Sequence, residues 1–217
     1  MQSAGIDFFN ALLYARSKHF HFPEVLIVEK VFLAFLVLAV VLGATRPGLA
    51  AEAPKDVKKR TKLSKYLTAV EAYEMIRNGH GSVALIDVRT PQEYDFVGHP
   101  VMARNIPVKL WSGTFDPAAK RNVLVANPAF VDQVKARFKP GEAIIVMCRS
   151  GDRSAIAADK LADAGFTEVF SMIDGFEGET VADKDSPDFG RRTVSGWKNS
   201  SNPWTFDLDP DLVYVAP

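Results

Sequence analysis

Hydrophobic and polar positions divide the chain into three stretches. Residues 31–42, VFLAFLVLAVVL, are apolar without a break. From about residue 68 to 178, short apolar runs alternate with stretches of helical spacing. Beyond 179 the periodicity fades, although Trp197, Trp204 and Tyr214 supply large side chains that need something to pack on.

The middle stretch predicts alternating elements. Thr68 fits a helix N-cap, and Glu71 completes a capping box. The following AVEAYEMIRN sets Val70, Tyr73 and Ile76 at near-helical spacing and stops at Gly79. Val83-Ala84-Leu85-Ile86 is a short apolar run of the kind that forms a buried strand, ending at Asp87-Val88-Arg89. Pro91-Gln92-Glu93-Tyr94 opens another short helix, and Ile106-Pro107 marks a second strand or its end. Phe130, Val131, Val134 and Phe138 share a helix face that ends before Pro140-Gly141. Residues 143–147 are the clearest buried strand, 153–164 a helix closed by Gly165, and 169–173 a further strand ending at Asp174-Gly175. Strands alternating with helices predict an α/β fold with a mostly parallel central sheet flanked by helices.

The first stretch is different in kind. Lys30 precedes the apolar run, and Gly48 and Ala50 place small residues ahead of a cut after Ala50, which together describe a secretory signal. The run is short against the roughly 20 apolar residues of a membrane span. An uncleaved membrane anchor and a buried helix are the alternatives. The residues ahead of the run are many for a signal's basic region, and a start at Val28 would leave a compact one. The expected organisation is 1–50 signal or anchor, 51–66 a polar, basic linker, 67–178 the folded domain, and 179–217 a C-terminal extension packing on it. The expected location is the periplasm or outside the cell, or the inner membrane facing the periplasm if the segment is retained.

Composition narrows the chemistry. With 26 basic and 26 acidic residues, the chain lacks the positive excess of a protein that neutralises phosphates, so no nucleic-acid partner is expected. A single cysteine excludes an intrachain disulfide and a Cys-rich zinc site. His19, His21, His80 and His99 show no HExxH-like pairing, so no metal is expected.

That cysteine, Cys148, directly follows the clearest strand in the run Cys148-Arg149-Ser150-Gly151-Asp152-Arg153-Ser154, inside which a helix begins. A strand leading through a glycine loop to a helix N-terminus binds anions, because the first-turn N–H groups point outward and the helix dipole favours negative charge. The same position, with two arginines, favours negative charge on sulfur. N–H groups with Arg149 and Arg153 suit an oxyanion of sulfur. The plain alternative is a buried core cysteine. Against it, ligands of open α/β sheets bind at the strands' C-terminal edge, where Cys148 stands.

The ordered set Asp87-Val88-Arg89, Glu93-Tyr94, Gly98-His99, Asn105-Ile106-Pro107, the Cys148 loop, Gly165-Phe166 and Ile173-Asp174-Gly175-Phe176 resembles the rhodanese family of sulfurtransferases. The resemblance spans about residues 68–178. It implies a single rhodanese-like domain in which Cys148 accepts a sulfane sulfur from a donor such as thiosulfate and carries it as a persulfide. Cyanide or a thiol then takes the sulfur. No cofactor is required. Arg149, Ser150, Gly151, Asp152 and Arg153 would form the substrate loop, supported by Asp87, Arg89 and Glu93. Small sulfur anions are the expected partners, with a sulfur-acceptor protein as a further one. The membrane would be a partner only through an uncleaved N-terminal segment.

Three departures from the family pattern stand out. Pro100-Val101-Met102 replaces the usual Ile-Pro-Gly after Gly98-His99. Extra sequence with Trp111, Phe115 and Asp116-Pro117 follows Pro107. The C-terminal extension carries Trp197 and Trp204, which either pack on the domain or wall the pocket. Rival readings are a non-catalytic persulfide carrier and a thiol redox protein, the latter lacking any second cysteine. A third is a phosphatase of the same fold, whose loop holds five residues between cysteine and arginine, whereas four lie between Cys148 and Arg153.

Overall fold

The computed structural model describes residues 51–216. The apolar run at 31–42 and the expected cut after Ala50 lie outside the described residues.

Two capping boxes start two helices. At α1 (Ala69–Asn78), Thr68 Oγ1 accepts from Glu71 N–H at 3.3 Å while the Glu71 carboxylate accepts from Thr68 N–H at 2.7 Å. At α2 (Pro91–Val97), Thr90 and Glu93 repeat the arrangement, with Pro91 at a first position that needs no N–H partner. Two further helices, α3 (Phe130–Lys135) and α4 (Asp152–Asp163), follow.

Five parallel strands form the sheet. They are β1 (Tyr66–Leu67), β2 (Val83–Asp87), β4 (Arg104–Asn105), β7 (Ala143–Met147) and β8 (Val169–Met172), in the order β1-β8-β7-β2-β4. Strand alternation splits the core into two layers. Ile144 and Val146 join Ile86, Phe130, Val134 and Leu161 on one face. Ile145 and Met147 join Leu85, Ala72, Phe176 and Trp197 on the other. The clearest strand in the sequence is thus central, and its end presents Cys148 at the sheet's C-terminal edge.

The strand expected at Ile106-Pro107 is β4, two residues earlier. Backbone pairing continues past it, with Ile106 N–H donating to Asp87 O and Val108 N–H to Val88 O, while Pro107 between them has no N–H to give. The extra sequence after Pro107 forms an antiparallel hairpin, β5 (Lys109–Asp116) and β6 (Arg121–Ala126).

Residues 51–66 are not a free linker. Ala51 N–H donates to Tyr66 O, Thr61 N–H donates to the buried Tyr66 hydroxyl at 2.9 Å, and Tyr66-Leu67 is the sheet's edge strand. The basic residues that made the segment look solvated face acids of the domain: Lys62 pairs with Asp163, and Lys65 with Glu168 at 2.6 Å. No helix among the described residues is long and apolar enough to cross a membrane.

The extension beyond 179 wraps the domain. Trp197 is fully buried in the second core layer, edge-on to Tyr73, and its Nε1–H donates to Pro203 O at 2.9 Å. Trp204 lies in β9 (Trp204–Thr205), which pairs antiparallel with β3 (His99–Pro100), and its ring packs edge-on to Phe176. Asp174 fastens the extension to the sheet by accepting from Ala69 N–H at 2.9 Å and Gly196 N–H at 3.0 Å. Burial pushes its carboxyl up, against those two donors.

Candidate active site

After Met147 the chain turns through residues 148–151 into α4, and Gly151 is the helix cap with φ +108°. Cys148 is 2 % exposed, and its Sγ accepts from Gly151 N–H at 3.1 Å. The first-turn N–H groups of α4 have no carbonyl a turn earlier to bond, so they are available to an anion beside the sulfur.

The loop is clamped from behind. Phe176 N–H donates to Cys148 O at 2.7 Å and Glu177 N–H to Arg149 O at 2.9 Å. A side chain at Gly175 (φ +64°) would bring a Cβ within 2.5 Å of Cys148 O, and one at Gly151 within 2.3 Å of Ile173 O. Two bare glycine backbones therefore set how closely the cysteine loop and the 173–177 turn approach.

Cys148 opens into a pocket of about 660 Å³. Arg149, Ser150, Asp152 and Arg153 line it, with Glu93. Gly151 contributes its N–H to the sulfur rather than a wall. Arg149 is exposed and makes no ion pair among the described residues. Arg153 is held differently from the expected free anion contact. Its two terminal nitrogens donate to the Glu93 carboxylate at 2.5 and 2.6 Å, 60 residues away in sequence. Burial pushes the Glu93 carboxyl up, but the hydrogen bonds and charge of Arg153, with the Thr90 N–H, outweigh it and hold the group at about 2. Burial likewise lowers the Arg153 guanidinium, and Glu93 more than restores it, so both stay charged. Glu93 thus caps α2 and fixes Arg153 against the pocket.

Asp87 and Arg89 lie behind this surface, both fully buried. Arg89 Nε donates to Asp87 Oδ1 at 3.0 Å, while Nη2 donates to Asp87 Oδ2 at 2.6 Å and to Gly98 O at 2.8 Å. The guanidinium stacks 4.3 Å from the centre of the Phe176 ring. Since Phe176 N–H holds the Cys148 carbonyl, this ion pair braces the loop without entering the pocket. His99 is buried, with Nδ1 3.1 Å from Pro100 O and its ring stacked on Tyr94 at 3.6 Å.

Several lining residues escaped the sequence reading: Lys58 from the supposed linker, Ile156 of α4, and Lys109, Trp111, Arg121, Asn122 and Leu124 of the hairpin. The available signal was alternation within the extra sequence, since 109/111 and 122/124 are each two apart and so share a strand face. Trp197 and Trp204 do not line the pocket, so the extension packs rather than walls it.

The parallel sheet holds one cysteine between a strand end and a helix N-terminus, at the edge of a pocket whose charged side chains are mainly cationic, and so defines an α/β domain with a cysteine loop at the sheet's C-terminal edge. Residues 68–179 match the rhodanese-like domain family, and the chain belongs to that family. Thiosulfate sulfurtransferase 16, a chloroplastic protein of Arabidopsis thaliana, is 34 % identical over 105 residues, covering 48 % of this chain and 78 % of that protein. The senescence-associated protein DIN1 of Raphanus sativus is 38 % identical over 91 residues, 42 % of this chain; the match covers 45 % of DIN1, less than half its length. Among solved structures, Rv0390 from M. tuberculosis superimposes with a TM-score of 0.52 at 28 % identity, covering 65 % of this chain and 97 % of that one.

Proposed function

We propose that this protein is a sulfurtransferase that carries a sulfane sulfur on Cys148. The observation that carries the reading is the Cys148 Sγ held by Gly151 N–H at 3.1 Å at the start of α4, inside a pocket with five cationic side chains, Lys58, Lys109, Arg121, Arg149 and Arg153. With thiosulfate as donor, the Cys148 thiolate bonds to the outer sulfur, the S–S bond breaks, and its electron pair leaves on sulfite. The resulting persulfide anion sits where the sulfur already accepts an N–H. Cyanide or a thiolate then bonds to the outer sulfur and leaves Cys148 as thiolate. The cycle needs no cofactor and no separate general base.

The phosphatase alternative fits less well. Only four residues separate Cys148 from Arg153, and the guanidinium that would clamp a phosphoryl group is occupied by Glu93. Asp152 adds a carboxylate that opposes a phosphate dianion. We further propose that residues 1–50 direct export, so that the domain works in the periplasm. A precursor that stays in the cytoplasm when expressed in a bacterium would overturn this.

The test is cyanolysis. Purified protein with thiosulfate and cyanide should yield thiocyanate, and intact mass after thiosulfate alone should show one added sulfur, both lost in Cys148→Ser with unchanged circular dichroism. Folded protein that gives neither signal, or a Cys148→Ser variant of equal activity, overturns the reading.

A further inference from the structure

The cysteine loop is supported by residues that precede the stretch matching the family, 68–179. Val57–Lys59 forms one 3₁₀ turn ahead of β1, capped by Asp56, whose carboxylate accepts from Lys58 N–H at 3.0 Å. The turn packs on α4. Three residues per turn send consecutive side chains about 120° apart, so its two lysines go different ways. Lys58 lines the pocket. Lys59 does not; its side chain is 11 % exposed and runs behind the loop.

Lys59 touches both segments that hold the sulfur. A Cβ at Gly151 would lie 3.0 Å from Lys59 Cδ, so the lysine stem covers the bare backbone of this glycine. Gly151 N–H is the donor to Cys148 Sγ. At its far end, Lys59 Nζ donates to Ile173 O at 3.2 Å and pairs with Glu179. Ile173 leads into the turn whose Phe176 and Glu177 N–H groups hold the carbonyls of Cys148 and Arg149. Ile173 O is also the atom that a Cβ at Gly151 would strike, at 2.3 Å. Gly151, Ile173 O and Lys59 therefore meet at one point. A charge-assisted bond from an ammonium fixes that carbonyl more firmly than a neutral donor would. Close packing then leaves the glycine backbone little room to move away from the sulfur.

We propose that Lys59 is a positioning residue of the cysteine loop. By holding Ile173 O and covering Gly151, it keeps Gly151 N–H directed at the Cys148 sulfur. The segment ahead of β1 is thus part of the site rather than a tether to it. The consequence for turnover rests on the sulfurtransferase reading above; the geometry does not.

The test uses the whole chain. Alkylation of Cys148 by iodoacetamide, a neutral reagent, is timed by intact mass and needs no sulfur donor. Lys59→Met keeps an unbranched stem over Gly151 and removes the ammonium. A thiolate that loses a fixed N–H donor is less favoured, so alkylation should slow about tenfold, within the roughly hundredfold that a 1 Å misplacement can cost. In thiosulfate-to-cyanide transfer, kcat should fall in step while KM stays within about twofold, because Lys59 does not line the pocket. Lys59→Arg keeps a charged donor and should recover most of the alkylation rate. Lys62→Met frees the same segment from Asp163 without touching the loop, and should alkylate like the native protein. Circular dichroism checks folding; should Lys59→Met not fold, Lys59→Gln, a neutral polar replacement, carries the same comparison. Unchanged alkylation in the folded Lys59 variant, or equal slowing in Lys62→Met, overturns the inference. Faster alkylation overturns it too, because the lysine would then only cover the sulfur. Native protein that transfers no sulfur overturns the sulfurtransferase reading, while the alkylation rates still decide the role of Lys59.

Discussion

Replacing Glu93 by glutamine isolates the ion pair that orders the pocket wall. The carboxyl moves from an ordinary 4.5 to about 2 in the folded protein and is 20 % exposed. At 1.36 kcal/mol per pH unit, that displacement contributes about 3 kcal/mol at neutral pH. Because the folded value is depressed, the contribution is complete above about pH 5 and is lost as pH falls toward 2. At pH 3 about 1.4 kcal/mol of it remains. Glutamine keeps the shape and the cap but not the charge, so Arg153 loses its counter-ion. Urea unfolding followed by tryptophan fluorescence measures the gap between native protein and variant. With a slope near 2 kcal/mol per molar urea, the midpoints should differ by about 1.5 M at pH 7 and about 0.7 M at pH 3. A gap of equal size at both pH values would show that the loss is steric rather than electrostatic. No gap at pH 7 would show that the pair contributes nothing.

Other changes separate bracing from chemistry. Gly175→Ala forces a Cβ to within 2.5 Å of the Cys148 carbonyl at φ +64°, so it should lower sulfur transfer at least about tenfold and cost about 1–3 kcal/mol, read by steady-state kinetics and melting. Asp87→Asn leaves Arg89 buried without its counter-charge and should cost about 3–5 kcal/mol in denaturant unfolding. Trp204→Ala removes a ring that packs on Phe176 and Gly98 but not in the pocket, so it should lower the melting temperature and leave kcat/KM of the folded fraction unchanged; a kinetic defect at full folding would restore a pocket role.

What the sequence made legible follows from where its patterns are local. The Thr68–Glu71 box, the 143–147 run and the Cys148 loop each announce themselves within a few residues, and the structure places them as expected. The hairpin did not, because it buries neither face fully: Ser112 to Phe115 are exposed, and a bulge between Trp111 and Phe115 breaks the alternation. The linker was misread because its lysines are paired with acids about a hundred residues away. For the same reason Arg153 looked like a free anion contact. Its partner Glu93 reads locally as a helix cap, and only the fold brings the two together.

The strand order carries a kinetic consequence. Tyr66 and Leu67 pair with Ser171 and Met172, and β2 pairs with β7, so neighbours in the sheet are distant in the chain. Such parallel pairings close long loops before they gain contacts, which puts folding among the slower topologies. Trp197, which fills the second layer, follows every strand of that sheet in order of synthesis. The nascent chain therefore finishes its core late, with its thiol unshielded meanwhile. Having a single cysteine, it can traverse that interval without forming an intrachain disulfide trap.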